Sequence, residues 1–351
     1  MRYLSAHAQH IGARRYQQDA FELAEYDPTF REHGGILAVV CDGMGGMQHG
    51  DLASQAAIST LIAEYGRKAQ AESIPEALLR SVQAANKRVV TVAEGMGVEG
   101  SMGTTLIATA ILNGQYHYIS VGDSAIFHVR DQKLQLVNQP HVFGNLLDRA
   151  VETGTLTQDE ANAHPEREAL TSFVGISNLQ EIDRSDEPRA YGTGDTLLLA
   201  TDGLFKTLET SEIEAELAGH PQDWPSRLIA ATLNKRSRGQ DNITVLTVTD
   251  DTAGIGPKVA RTDQSQVTVE ISQAELEEHL RRRAAQQKPP APPADVPSDA
   301  RSADAPAGES ASAEKTQNAR ISRGLFLGGI VALALLAVAF ALLGYKMGRA
   351  G

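Results

Sequence analysis

The chain has a single cysteine in 351 residues, Cys41, so no internal disulfide can form and no multi-cysteine zinc site is available. Basic residues are in the minority. The 32 Lys and Arg against 44 Asp and Glu leave a formal charge of −12, which argues against a sequence-independent grip on nucleic acid phosphates. The first ten residues, Met1 to His10, hold no apolar run of the kind a secretory signal needs. A P-loop, G-x-x-x-x-G-K followed by Ser or Thr, is absent. The Gly43-Met-Gly-Gly46 run does not extend into a dinucleotide fingerprint, because Gln48 stands where a glycine is required and Asp42 would lie beside the pyrophosphate. A cysteine-dependent phosphatase would need an arginine six residues after its nucleophile, and Met47 follows Cys41 there. Cys41 is therefore read as a buried strand residue.

What is present suits one sizeable globular domain plus extra material, with 42% hydrophobic and 22% charged residues. Three segments are expected: a folded domain over 1–250, a linker over 251–320 and a membrane helix with a short tail over 321–351. The linker is rich in Pro, Ala, Ser, Asp and Gln, as in Lys288-Pro-Pro-Ala-Pro-Pro-Ala-Asp-Val-Pro, and buries too little apolar surface to offset its ordering entropy. Within it, Ser272 to about Ala285 has the spacing of a short helix. From Gly324 to Tyr345 there is no charged residue, and Leu325–Leu343 is almost entirely aliphatic. Such a helix spans a hydrocarbon core of roughly 30 Å. Because no upstream signal exists, the expected arrangement is a single-pass inner-membrane protein whose N-terminal domain is cytoplasmic.

Periodicity supplies the elements of the first 250 residues. One amphipathic helix starts near Asp51 and places Ile58, Leu61, Ile62 and Tyr65 on one face. A second opens with the capping box Ser73-Ile-Pro-Glu76 and carries Leu78, Val82, Ala85, Val89 and Val92. Strands are expected at Gly35–Cys41, Thr105–Leu112, Gln115–Val121, Ala125–Arg130, Thr196–Ala200 and Ile243–Thr249. Asn113-Gly114 marks a hairpin. The strands come in neighbouring groups, so the fold class is α+β, with antiparallel sheets and helices laid on them.

Three aspartates, Asp42, Asp202 and Asp241, sit at the rims of apolar strands, and Asp123 lies between two strands. Each taken alone also suits a plain turn. If packing brings the rims to one edge, the carboxylates repel one another unless a hard cation such as Mg²⁺ or Mn²⁺ neutralises them. Two such cations orient a phosphoryl oxygen and activate a water for in-line attack, which is phosphate ester hydrolysis without a covalent intermediate.

Six motifs in order carry a family likeness. They are Gly12-Ala-Arg14-Arg-Tyr-Gln-Gln-Asp19, Val40-Cys-Asp42-Gly-Met-Gly-Gly46, Met102-Gly-Thr-Thr105, Val121-Gly-Asp123-Ser124, Leu198-Leu-Ala-Thr-Asp202-Gly203 and Gln240-Asp241-Asn242-Ile-Thr-Val245. The chain thus resembles the bacterial form of the protein phosphatase 2C family, metal-dependent serine/threonine protein phosphatases. That resemblance implies a four-layer αββα sandwich: two stacked antiparallel β-sheets flanked by α-helices, with the metals at one end. It implies that Asp42 bridges two cations, the Gly43 carbonyl binds one, Asp202 and Asp241 hold the second, and Asp123 with Asp202 holds a weaker third. Asp19 supports its neighbours, and Arg14 grips the substrate phosphate, with Arg15 as the competing choice. The implied substrates are phosphorylated proteins, the implied partner is a membrane-associated serine/threonine kinase, and the catalytic domain is expected to be monomeric.

Departures from the family pattern are local. Gln17 stands where asparagine is usual, and Met44 where animal members often carry a histidine acid. Gln139-Pro140-His141-Val142 replaces the usual Asp-His-Ser, and the stretch Phe143–Ile176 that follows is the variable flap. His141 and His164 are read as structural or exposed. Two competing readings are a catalytically silent fold that recruits a partner to the membrane and a phosphatase of small metabolites.

Overall fold

In the computed structural model, the described residues are 2–45, 49–252 and 254; the expected linker beyond them, with its short helix, and the expected membrane helix lie outside these residues. Among the described residues no helix is long and apolar enough to cross a membrane.

The strands in chain order begin with β1 (Tyr3–His10), β2 (Asp19–Ala24), β3 (Ile36–Gly45), β4 (Met102–Thr104), β5 (Leu106–Leu112) and β6 (Gln115–Val121). They continue with β7 (Ala125–Arg130), β8 (Lys133–Leu136), β9 (Asp183–Arg184), β10 (Arg189–Ala190), β11 (Thr196–Ala200) and β12 (Ile243–Asp250). The helices are α1 (Pro28–Gly34), α2 (His49–Tyr65), α3 (Ile74–Met96), α4 (Phe143–Glu152), α5 (Gln158–Asn162), α6 (Asp202–Phe205), α7 (Thr210–Glu216) and α8 (Trp224–Asn234).

Two sheets form, and every strand pair in them among the described residues is antiparallel. One runs β1-β12-β11-β7-β8 and the other β10-β6-β5-β3-β2, with β4 on β3 and β9 on β6. Strand periodicity sorts their side chains into layers. In β3, Leu37, Val39 and Cys41 face the helix side with Leu52, Leu61, Leu78 and Val82, while Ile36, Ala38 and Val40 face the space between the sheets. In β11, Leu197 and Leu199 enter that same space, and Leu198 and Ala200 pack under Leu228 and Trp224. Three apolar layers thus separate α2 and α3, the two sheets, and α6 to α8, which is the expected αββα order.

Local chemistry explains the elements. α3 starts on a reciprocal capping box between Ser73 and Glu76 and stops at Gly97 in the left-handed conformation. All five residues expected on its inner face are buried. Asn113 and Gly114 both have positive φ, 51° and 73°, as a two-residue hairpin demands. α2 begins at His49, two residues before the expected start, and β3 runs on to Gly45, past Cys41.

Candidate metal centre

Register alone gathers the aspartates. Ala200 of β11 pairs with Val245 of β12 and with Ala125 of β7, so Asp202, Asp241 and Asp123 all lie just beyond one end of the first sheet. In the second sheet Asp19 pairs with Asp42 on β3, and Leu106 pairs with Val121, at the corresponding end.

Hydrogen bonds then clamp the two ends together. Asp19 Oδ2 accepts from the hydroxyls of Thr201 at 2.9 Å and Thr244 at 2.7 Å, joining β2 to the other sheet. The Asp42 N–H donates to Thr105 Oγ1 at 3.0 Å, and that hydroxyl pairs with Ser124 at 2.7 Å, beside Asp123. Asn242 fixes the first motif by accepting from the Gln18 N–H and donating to the carbonyls of Ile11 and Tyr16. The Gln18 carbonyl accepts from the Gly43 N–H at 3.1 Å and the Ser54 hydroxyl at 2.7 Å, tying α2 to the same rim. No side chain fits at Gly43: a Cβ there would lie 2.0 Å from the Gly50 carbonyl oxygen. Gly203 is equally constrained, 2.0 Å from the carbonyl oxygen of Asn242, which holds Asp202 against the start of β12.

The electrostatics are those of crowded, dehydrated carboxylates. Asp42 is held well above the ordinary range by burial first, then by Asp19, Asp202, Asp241 and Asp123. Burial pushes Asp19 up to about 7, against the two threonine hydroxyls and with help from Asp202 and Asp241. Asp123 is raised by burial and Asp202, while Lys206 opposes the shift. Two cationic side chains reach the cluster. Arg14 donates to Asp241 Oδ2 at 2.6 Å, and the Lys206 ammonium donates to Asp202 Oδ2 at 2.6 Å and Asp123 Oδ2 at 3.1 Å.

These residues fit a pair of divalent cations. Oδ1 of Asp19 and Oδ1 of Asp202 are buried with no hydrogen-bond partner, and such oxygens are costly unless an ion or its water shell meets them. Among the described residues no three His, Cys, Asp or Glu side chains converge tightly enough to cage an ion alone. An oxygen-only set with few protein ligands per ion suits Mg²⁺ or Mn²⁺, which keep part of their water shell, better than zinc.

Sequence reasoning placed Arg14, Asp19, Asp42, Gly43, Asp123, Asp202 and Asp241 at one rim, and they meet there. Arg14 reaches a carboxylate of the cluster, Asp241. Cys41 is fully buried, and burial pushes its thiol far up, as a strand residue without a chemical role requires. Sequence reasoning missed Lys206, although its i,i+4 spacing from Asp202 was a usable signal. His141, read as structural or exposed, is structural: its Nδ1 accepts from the Gly122 N–H at 3.0 Å and its backbone N–H donates to the Gly122 carbonyl at 2.9 Å.

The profile of the protein phosphatase 2C family matches residues 7–239. The serine/threonine phosphatase stp of Listeria monocytogenes is 31% identical over 218 residues, 61% of this chain and 84% of that protein. The solved serine/threonine phosphatase of S. agalactiae superposes with a TM-score of 0.61 at 28% identity, over 71% of this chain and 99% of that one. The catalytic domain of the phosphatase PstP, solved in complex with two manganese ions, shares the fold with a TM-score of 0.56 at 24% identity, over 70% of this chain and 97% of that one. The profile match runs through Asp19, Asp42, Asp123 and Asp202, and the chain belongs to the protein phosphatase 2C family.

Proposed function

We propose that this serine/threonine protein phosphatase works from the cytoplasmic face of a membrane, with two Mn²⁺ or Mg²⁺ ions held by Asp42, the Gly43 carbonyl, Asp202 and Asp241. The observation that carries the site assignment is the meeting of those carboxylates beside two unpartnered buried oxygens. When bound, the cations neutralise the cluster, bind a phosphoryl oxygen and acidify a water for in-line attack on phosphoserine or phosphothreonine.

The chain's own groups do the rest. Arg14 stands half-exposed at the rim, where its planar fork suits two phosphate oxygens and holds the substrate over the cluster. Asp19 holds Thr201 and Thr244, and through them the start of α6 that carries Asp202. Met44 offers no proton, so water or another group of the site protonates the departing serine or threonine oxygen. The uncharged stretch Gly324–Tyr345 supports the anchor, and the Pro-rich tether lets the domain sweep substrates of kinases on the same face at raised effective concentration.

The test is hydrolysis of a phosphothreonine peptide by the full chain in detergent, with Mn²⁺, Mg²⁺ or chelator, beside Asp202→Asn. Turnover that needs the cation and disappears in the variant is expected. Turnover that survives chelation removes the metal mechanism. For the anchor, a chain ending at residue 320 is expected in the soluble fraction, and its retention on membranes overturns that part.

A further inference from the structure

Lys206 is set where an inorganic cation would otherwise be called for. Its Nζ lies 2.6 Å from Asp202 Oδ2 and 3.1 Å from Asp123 Oδ2, between carboxylates whose side chains are 16% and 9% exposed. The ammonium makes both bonds although the lysine side chain is 41% exposed. The turn that carries it is held by the Lys206 N–H, which donates to the Asp202 carbonyl at 2.9 Å. Gln240 braces the same turn twice, donating to the Gly203 carbonyl at 2.9 Å and accepting from the Thr207 hydroxyl at 3.0 Å. The i,i+4 spacing on this turn delivers the ammonium back over Asp202. Asp202 is thereby divided: Oδ2 belongs to Lys206, and Oδ1 stays unpartnered and buried.

We propose that Lys206 is a tethered monovalent cation that occupies the gap between Asp123 and Asp202, so that this chain holds two exchangeable divalent ions and is closed to a third. The inference rests on the two-cation reading above and deepens it. A divalent ion in the gap would need both oxygens within roughly 2.0–2.2 Å, in the space the ammonium fills. It would also have to displace a covalently attached charge that is always present at the site, and would then sit beside the displaced ammonium. Asp123 accordingly acts as a positioning residue: it holds Lys206, which fixes the Asp202 carboxylate.

The experiment is a direct count of bound Mn²⁺ on the full chain in detergent, from the electron paramagnetic resonance signal of the free ion. Wild type is expected to saturate at two ions. Lys206→Gln is expected to gain one weaker site, Lys206→Gln with Asp123→Asn to lose it again, and Lys206→Arg, which keeps the charge, to stay at two. A third saturable ion in wild type overturns the inference while leaving the two-cation reading intact, as does an unchanged count in a folded Lys206→Gln protein. No Mn²⁺ binding by wild type overturns both.

Discussion

Asp19 and Asp42 are direct partners in the antiparallel β2–β3 ladder, so their side chains leave the same face of the sheet side by side. Both are dehydrated, and Asp19 keeps one oxygen tied to two hydroxyls and the other unpartnered. Replacing Asp19 with Asn removes one of the repelling charges while keeping an acceptor for Thr201 and Thr244. The chelator-treated Asp19→Asn protein should melt higher than wild type near pH 7.5, by roughly 1 kcal/mol, and turn over more slowly. A lower melting temperature would mean that the Asp19 charge is not a source of strain.

Acidity and metal should be linked. Asp19, at about 7, and Asp42 keep their protons in the folded state above the unfolded carboxylate range of about 4. Between those limits the metal-free folded state binds more protons than the unfolded one, so its stability falls as pH rises. Mn²⁺ needs the same carboxylates deprotonated, so the rise in melting temperature that it brings should grow from about pH 5 to about pH 7. A constant increment across that range would count against the cluster as the binding site.

On the proposed role of Arg14, its replacement is expected to affect folding little and substrate capture much. Its pair with Asp241 is half-exposed, which limits the stabilisation to about 0–1 kcal/mol. Arg14→Ala should raise KM for a phosphopeptide about tenfold or more, since charge-assisted bonds are worth roughly 1.5–3 kcal/mol, and leave the melting temperature nearly unchanged. Arg15→Ala is the control and should leave both KM and the melting temperature unchanged.

A second charged cluster lies at the other end of the sandwich. Arg130 makes two bonds to Asp195, at 2.8 and 2.6 Å, and the Gly192 N–H donates to it at 2.7 Å. Burial opposes the ionisation of Asp195, but Arg130, Gly192 and His128 outweigh it and bring its pKa down to about 2. Because the folded value is depressed, the stabilisation is complete above the unfolded range and is lost as pH falls from about 4 through about 2. Asp195→Asn should cost on the order of 2 kcal/mol at neutral pH by urea titration, a cost that shrinks towards pH 3, with turnover per folded molecule unchanged.

The candidate site was legible because each of its aspartates ends or begins a run of aliphatic residues, so the strand and its rim are read together. Leu197–Ala200 and Ile243–Val248 left little doubt about where a buried strand stops. β1 was not legible: Tyr3-Leu-Ser-Ala-His-Ala-Gln-His has little β-branched character, and only its place beside β12 makes it a strand. The short strands β4, β9 and β10 likewise exist through their neighbours rather than through propensity. The Lys206–Asp123 contact joins residues 83 apart in sequence, and local spacing revealed only its Asp202 half.

The pairing of β1 with β12 has a consequence for biosynthesis. β1 lies at the edge of its sheet and has β12 as its one ladder partner, with Tyr3 opposite Asp250 and Arg2 in an ion pair with Asp251. Among the described strands, β1 therefore waits for β12, through more than two hundred residues of synthesis, before its ladder hydrogen bonds can form. Asp241, two residues ahead of β12, reaches the cluster only at the same moment. On the proposed role of Asp241 as a cation ligand, premature termination upstream of it is expected to yield a silent fragment rather than an unregulated enzyme.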